Sequence, residues 1–403
     1  MLSGWKRVAL SDVADFRNGL NFTRGESGHT IKVVGVGDFQ RHETLSDFSD
    51  TTQVTVTNKV GEDDLLRNND LLFVRSNGNK ALVGRCVLIA GVDDRVTFSG
   101  FTIRARVKSK KVDHSFLSKL VRSPLFLAHL YRLGGGSSIS NLSQEALADF
   151  TFGLPSLPEQ RKIALILRTW DEALDNLAAL RAAKAKGLEA ITQRLIGRGG
   201  VFPGKWPLKP LSAIATRVRR QNGGGNHPVM TISARSGFLM QSDKFARDMA
   251  GTSVDRYTLL HEGEFAYNKG NSLAALYGCI YRLDRPTALV PFVYFCFALK
   301  PGHDHGFYEH LFAAGALNHQ LSRLINSGVR NDGLLNLNVE DFFGCKVPVP
   351  PLEEQRRIAL ALSAAKQELS LLDEEIKALT RQKRGLMQKL LTGEWPVQVE
   401  KDI

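Results

Sequence analysis

The stretch from Leu154 to Leu167, LPSLPEQRKIALIL, returns in phase 195 residues later as VPPLEEQRRIALAL, Val349 to Leu362. Pro155, Leu157, Glu159, Gln160, Arg161, Ile163, Ala164, Leu165 and Leu167 match Pro350, Leu352, Glu354, Gln355, Arg356, Ile358, Ala359, Leu360 and Leu362. The same offset pairs Leu174 with Leu369, Leu177 with Leu372, Gln193 with Gln388 and Leu195 with Leu390. One device is built twice into one polypeptide, so the function uses something twice.

Each copy reads as a long amphipathic helix. Ile163, Leu167, Trp170, Leu174 and Leu177, then Leu188, Ile191 and Leu195, recur at alternating four- and three-residue steps, with Arg181 and Lys184 in the seam between the runs. The second copy runs Ile358, Leu362, Ala365, Leu369, Leu372, Ile376 and Leu379, then a polar Lys383, then Leu386 and Leu390. This is the heptad seam of a coiled coil. Prolines precede each helix, where their missing donor costs little, and Gly197 or Gly393 follows it. Residues 159–196 make a rod about 57 Å long at 1.5 Å per residue. Identical phase in two copies is most simply explained if the two stripes bury one another; the alternative is two separate core helices of a large globular domain.

Looser duplication precedes each helix. Trp5, Leu10, Ser11 and Ala14 correspond to Trp206, Leu211, Ser212 and Ala215, and ISNLSQEALADF at 139–150 to LLNLNVEDFFGC at 334–345. The chain therefore divides into a variable domain at 1–153, a helical region at 154–200, a second variable domain at 201–345 and a second helical region at 346–403. Strand-like runs at 31–36, 70–74 and 101–107, with amphipathic helices expected at 115–132 and 306–325, predict an α+β fold for each variable domain. About 150 residues suffice for an independent core.

There are 53 basic and 41 acidic residues, a net charge of +12, and the excess is spread over both variable domains. Such a balance favours a polyanionic partner. No apolar run is long enough for a bilayer, the N-terminus does not read as a secretory signal, and Cys86, Cys279, Cys296 and Cys345 are scattered. A reduced cytoplasm is the expected setting.

Catalytic signals are weak. GGVFPGKW at 199–206 has the spacing of a phosphate-binding loop, but Trp206 stands where a hydroxyl must reach magnesium and Pro207 where a helix should open, so it reads as a linker. His303, His305 and His310, with Asp304 and Glu309, fit no metal-ligand spacing and read as a turn into a helix. The chain has no Asn-Pro-Pro-Tyr or Asp-Pro-Pro-Tyr tetrapeptide, no dinucleotide fingerprint and no nucleophile constellation. It is expected to bind, with no catalytic residues and no metal of its own.

Two variable domains alternate with two repeated helices, each entered through LPSLPEQRKIA or VPPLEEQRRIA, the second leaving through GLMQKLLTGEW. Over its whole length this resembles the specificity subunit of type I restriction-modification systems. The resemblance implies two target recognition domains and an antiparallel coiled coil between them, with a pseudo-twofold internal repeat. It further implies that the chain reads a bipartite target in double-stranded DNA. Two modification subunits would methylate adenine N6 with S-adenosylmethionine, and restriction subunits would use ATP and Mg. The chain itself would bind no cofactor. Glu159, Gln160, Arg161, Glu354, Gln355 and Arg356 are the residues expected to dock partners. A DNA-free coiled-coil scaffold, or the subunit of a methylation-only complex, are the alternatives.

Within the variable domains, VRSNGNK at 74–80 offers Arg75, Asn77, Asn79 and Lys80, and YNKGNS at 267–272 offers Tyr267, Asn268, Lys269 and Asn271. Arginine and lysine suit guanine O6 and N7, and asparagine suits adenine N6 and N7. Each loop is equally readable as an ordinary turn. Arg217, Arg219 and Arg220, Arg330 with Asn331, and the glycine-serine loop from Gly134 to Ser138 are the expected phosphate contacts. Alternation puts Arg104 and Arg106 on one face of the run 101–107, expected to be basic or merely solvated.

Overall fold

The computed structural model describes residues 4–22, 28–39, 43–56, 60–135, 140–197, 201–203, 206–244, 251–270, 274–325 and 334–399. The chain forms two compact units, one of Met1–Ala178 with Glu374–Ile403 and one of Ala179–Asp373. Each unit contains one variable domain, a part of the first long helix (Leu157–Leu195) and a part of the second (Leu352–Leu391).

In the first unit a five-stranded sheet runs in the order Ala14–Asn18, Thr102–Val107, Leu71–Val74, Cys86–Ile89 and Thr44–Leu45. The central strand Leu71–Val74 is buried along its whole length, because both faces of the sheet are covered. Leu71, Phe73, Ile103 and Ala105 share a core with Phe116, Leu120 and Phe126 from helices His114–Leu120 and Pro124–Leu133. Leu72, Val74, Val87 and Ile89 pack on the other side with Val34 and Phe98. Consequently the arginine face of Thr102–Val107 is not solvated. Arg104 is buried and donates to the Asp63 carbonyl at 2.6 Å, and Arg106 forms a bidentate pair with buried Asp70 at 2.8 and 2.7 Å. Alternation located the face correctly but did not reveal that a second layer covers it.

The second unit repeats the plan with four strands, Ala215–Val218, Phe295–Leu299, Phe265–Asn268 and Cys279–Arg282. Its core is aromatic: Phe265 stacks on Phe297 at 5.3 Å, and Phe312 meets both edge-on. The two expected helices are each broken in two. Pro124 restarts the first at Pro124–Leu133, after Ser123, whose hydroxyl donates back to the Leu120 carbonyl at 2.6 Å. In the second unit Gly315, at φ +71°, separates His305–Ala313 from Asn318–Leu324.

Both domains close on themselves before a long helix starts. Lys6–Ala9 pairs antiparallel with Thr151–Leu154, and Leu208–Pro210 with Lys346–Pro348. The long helices have 39 and 40 residues. In the first unit Ile163 and Leu167 join the domain core together with Met387 and Leu390. In the second, Ile196 does so with Ile358 and Leu362.

The cations of the heptad seam are all paired. Within the first unit Lys383 reaches Asp171. Within the second, Arg181 holds Asp373 at 3.0 Å and Lys184 holds Glu368 at 2.6 Å. Within that unit the partner number falls as the first rises, so the two helices run antiparallel. Asp171 also takes Lys119, whose ammonium pairs in addition with Glu43, which is joined by Arg122 at 3.3 Å. Burial works against the Glu43 charge, but Arg122 and Lys119 outweigh it and hold the carboxyl below its ordinary pKa. The stability this contributes is present above the unfolded carboxylate pKa and is lost as pH falls through the folded one.

Asp171→Ala strips one carboxylate from two part-buried ammonium groups and is expected to cost about 3–5 kcal/mol. Arg181→Ala, at a solvent-screened pair, should cost much less. Urea unfolding of the full chain checks this, and equal midpoint shifts for the two variants would refute the ranking. In the wild type, the midpoint should fall on acidification towards the carboxylate range.

Candidate nucleic-acid interface

In each unit the central strand ends at one rim of the sheet, and the loop that follows is tied by its main chain to the segment leading into the domain's last helix. The Arg75 carbonyl accepts from the Leu142 N–H at 2.7 Å, and Ser76 bridges to Asn141. In the second unit the Lys269 carbonyl accepts from the Leu335 N–H at 2.8 Å, and Gly270 bridges to Leu334. Ser143 and Asn338 then cap the helices Gln144–Ala148 and Val339–Gly344, accepting from Ala146 and Asp341. Thus the loop at 74–80 adjoins the end of the glycine-serine stretch, and the loop at 267–272 adjoins the end of SGVRNDGLL.

Asn77 and Asn79 build the first loop. The Asn77 side-chain oxygen accepts from the Asn79 N–H at 2.8 Å, and that of Asn79 from the Ala81 N–H at 3.1 Å. Base contact by either would fall to its amide NH2, a donor suited to purine N7, guanine O6 or thymine O4. Asn79 and Lys80 are exposed, while Arg75 is half-buried and donates to the Gly100 carbonyl at 3.4 Å. The turn reading of this loop and its base-reading chemistry are therefore compatible.

The second loop needs correction. Tyr267 is fully buried, stacked on Phe342 at 4.6 Å, with its hydroxyl donating to the Tyr277 carbonyl at 2.8 Å. Burial pushes its pKa well up. It is a core residue, since strand alternation turns it inward. Asn268 uses both ends of its amide, donating to the Ile232 carbonyl at 3.1 Å and accepting from the Gly270 N–H at 2.9 Å. It shapes the loop. Lys269 lies with Nζ 5.1 Å above the Phe295 ring. Asn271, Arg330, Asn331 and the stretch from Gly136 to Ser138 lie outside the described residues.

Of the arginine trio, Arg219 is exposed and Arg217 is half-buried in its strand; burial, then the charge of Arg219, lowers the Arg217 pKa. Arg220 is exposed but also engaged by its own domain. It grips buried Glu264 at 3.2 and 3.1 Å and the Leu259 carbonyl at 3.0 Å. The three histidines go three ways: His303 meets the Tyr308 ring edge, His305 stacks on Phe265, and His310 bonds Ser363 at 2.9 Å.

The repeated Glu-Gln-Arg divides by residue. Glu159 accepts from the Ser156 N–H and hydroxyl at 2.9 and 2.7 Å, closing the first turn of its helix. Gln160 and Gln355 are buried. Gln160 accepts from the Asp113 N–H at 2.8 Å and donates to the Lys111 and Pro155 carbonyls, each at 2.9 Å. Gln355 accepts from the Asp304 N–H at 2.8 Å and donates to the Pro350 carbonyl at 2.8 Å. Both glutamines therefore hold the chain together and are unavailable to partners. Asp113 and Asp304 in turn cap the helices His114–Leu120 and His305–Ala313. Arg161 and Arg356 are exposed, as is Glu353, which pairs with Arg356 at 2.7 Å; Glu354 is half-buried. Beside the arginines, Leu165 and Leu360 are 46% and 74% exposed. Their signal was legible, since both leucines stand two residues off the seam positions Ile163 and Ile358.

Residues 2–183 match the family described as type I restriction modification DNA specificity domain. Among curated proteins, the chain is 20% identical over 379 residues to the EcoKI specificity subunit of Escherichia coli K12, covering 88% of this chain and 80% of that one. Among solved structures it resembles the HsdS subunit of Thermoanaerobacter tengcongensis, with TM-score 0.54, 16% identity and 98% of both chains covered. It also resembles the type I restriction-modification S subunit of M. genitalium, with TM-score 0.53, 16% identity and 96% of both chains covered. At that identity the structures establish the fold.

Gln160→Ala leaves one buried donor and two carbonyls without their partner and is expected to destabilise the protein by roughly 1–3 kcal/mol. The exposed neighbour change Arg161→Ala should stay within about 0.5 kcal/mol. Thermal unfolding compares them, and a Gln160→Ala protein as stable as wild type would contradict the clamp.

Proposed function

We propose, from the match of residues 2–183 to the type I restriction modification DNA specificity domain and the likeness to specificity subunits, that the chain is such a subunit and reads a bipartite DNA target, one half-site for each variable domain. In this reading it directs adenine-N6 methylation, and restriction, by subunits that carry the chemistry. The carrying observation is the rim built twice: in both units a basic residue, Arg75 or Lys269, leaves the central strand and is tied to a second loop. The +12 net charge supplies the attraction for phosphate. S-adenosylmethionine, ATP and Mg would be held by the partners.

Two modification subunits would dock on the repeated helices. The surface that supports this is the exposed Arg161 with Leu165, and Arg356 with Leu360, one set for each partner. An exposed arginine, a residue type enriched in binding hot spots, stands beside a solvated leucine twice at one offset.

Co-expression with a modification partner, followed by mapping of methylated adenines, tests the reading. The expected target is two specific half-sites separated by unread base pairs, and a contiguous target would overturn it. Changing both Arg161 and Arg356 to Glu is expected to abolish assembly in analytical ultracentrifugation while leaving both domains folded. Assembly at wild-type affinity would place the docking surface elsewhere. Arg219→Ala should weaken binding to every sequence and reduce the salt slope by about one ion.

A further inference from the structure

Phe101 and Phe292 are 61% and 50% exposed. A single solvated apolar side chain is ordinary on a protein surface, so the placement has to carry the argument. Phe101 lies in the turn between Val96–Phe98 and Thr102–Val107, and Phe292 in the turn between Thr287–Val290 and Phe295–Leu299. These are topologically the same turn. Each enters the strand beside the central one, with Thr102 opposite Val74 and Phe295 opposite Tyr267. That register sets both turns at the rim where the basic loops leave the sheet.

The turns are rigid and unrelated in sequence. The Phe101 carbonyl accepts from the Arg75 N–H at 2.8 Å, the Gly100 N–H donates to the Leu20 carbonyl at 2.7 Å, and the Thr102 hydroxyl donates to the Ser99 carbonyl at 2.7 Å. In the second unit the Tyr294 N–H donates to the Pro291 carbonyl at 3.0 Å, and the Tyr294 hydroxyl bonds Thr231 at 3.0 Å. Ser-Gly-Phe and Pro-Phe-Val share only the outward phenylalanine. Each turn has a cation beside it: the Arg75 guanidinium donates to the Gly100 carbonyl at 3.4 Å, and that of Arg256 lies 4.7 Å over the Phe292 ring. An exposed aromatic ring on a hydrogen-bonded turn that also holds a cation, at the rim of a basic domain, suits contact with a thymine methyl or a base step while the cation meets phosphate.

We infer that Phe101 and Phe292 are the apolar base contacts of the two recognition domains, one for each half-site. This rests on the rim being the DNA face. The test uses the full-length chain and a pool of randomised DNA duplexes, from which bound sequences are selected and read. Phe101→Ala and Phe292→Ala, both at exposed positions, should melt as wild type does. Each should lose discrimination at base pairs of a different half-site, and each should bind the wild-type-selected duplex roughly tenfold more weakly, with the salt slope unchanged. Replacing thymine by uracil in that duplex separates a methyl contact, which it would remove, from ring insertion, which it would spare. If both alanine variants select the wild-type sequence with wild-type affinity while Lys80→Ala and Arg219→Ala weaken binding, the inference is overturned and the DNA face stands. If Lys80→Ala and Arg219→Ala also leave binding unchanged, the rim is not the DNA face and both fail.

Discussion

A helix of about 40 residues with one apolar stripe cannot stay folded on its own propensity, because most helical stability in proteins comes from packing that stripe. Both long helices face this constraint, and both meet it in two stages. The first turns bury Ile163 and Leu167, or Ile358 and Leu362, in a domain core. Further along, antiparallel partners and their ion pairs take over. At the junction sits one buried amide, Gln160 or Gln355, bonded to the backbone of both the helix entrance and the domain. An apolar side chain there would fill the space but leave those backbone groups unpaired, so the position needs an amide.

The two joints are not equivalent electrostatically. Six residues beyond its capping aspartate, the first domain presents Lys119 to Asp171 and Glu43, whereas the second presents His310 to Ser363. The first joint therefore depends on several part-buried charges meeting in one geometry, which specifies register more than it adds stability. The second has a neutral-partner bond at that position and stacked aromatics beside it, with Phe265 between Phe297 and His305. Duplication preserved the backbone frame and the amide clamp while the side-chain chemistry around them diverged.

The two long helices and the cations in their seam were legible because a heptad period and a repeat offset are one-dimensional signals. So were the strands at 29–34, 71–74 and 102–107. What failed depended on knowing the second layer. Arg104 and Arg106 look solvated by alternation, yet the segment 63–70 holds them; Tyr267 looks available in a basic loop, yet it is core. In Glu-Gln-Arg the arginines are exposed, but nothing in the linear pattern says that the glutamine turns inward. Phe101 and Phe292 escaped because no period marks a residue in a turn.

The rim itself is held in a way that explains how one frame can present different chemistry. Its ties to the segment before the last helix are main-chain bonds, Leu142 to Arg75 in one domain and Leu335 to Lys269 in the other, and each domain is closed at its root by Leu10 to Phe150 or Leu211 to Cys345. Main-chain bonds are indifferent to the side chains beside them. Arginine, serine and asparagine can stand in one loop where lysine and glycine stand in the other without disturbing the frame. A protein that must recognise two different short sequences with one fold needs this separation, with the backbone fixing where the loops lie and the side chains left to decide what they meet.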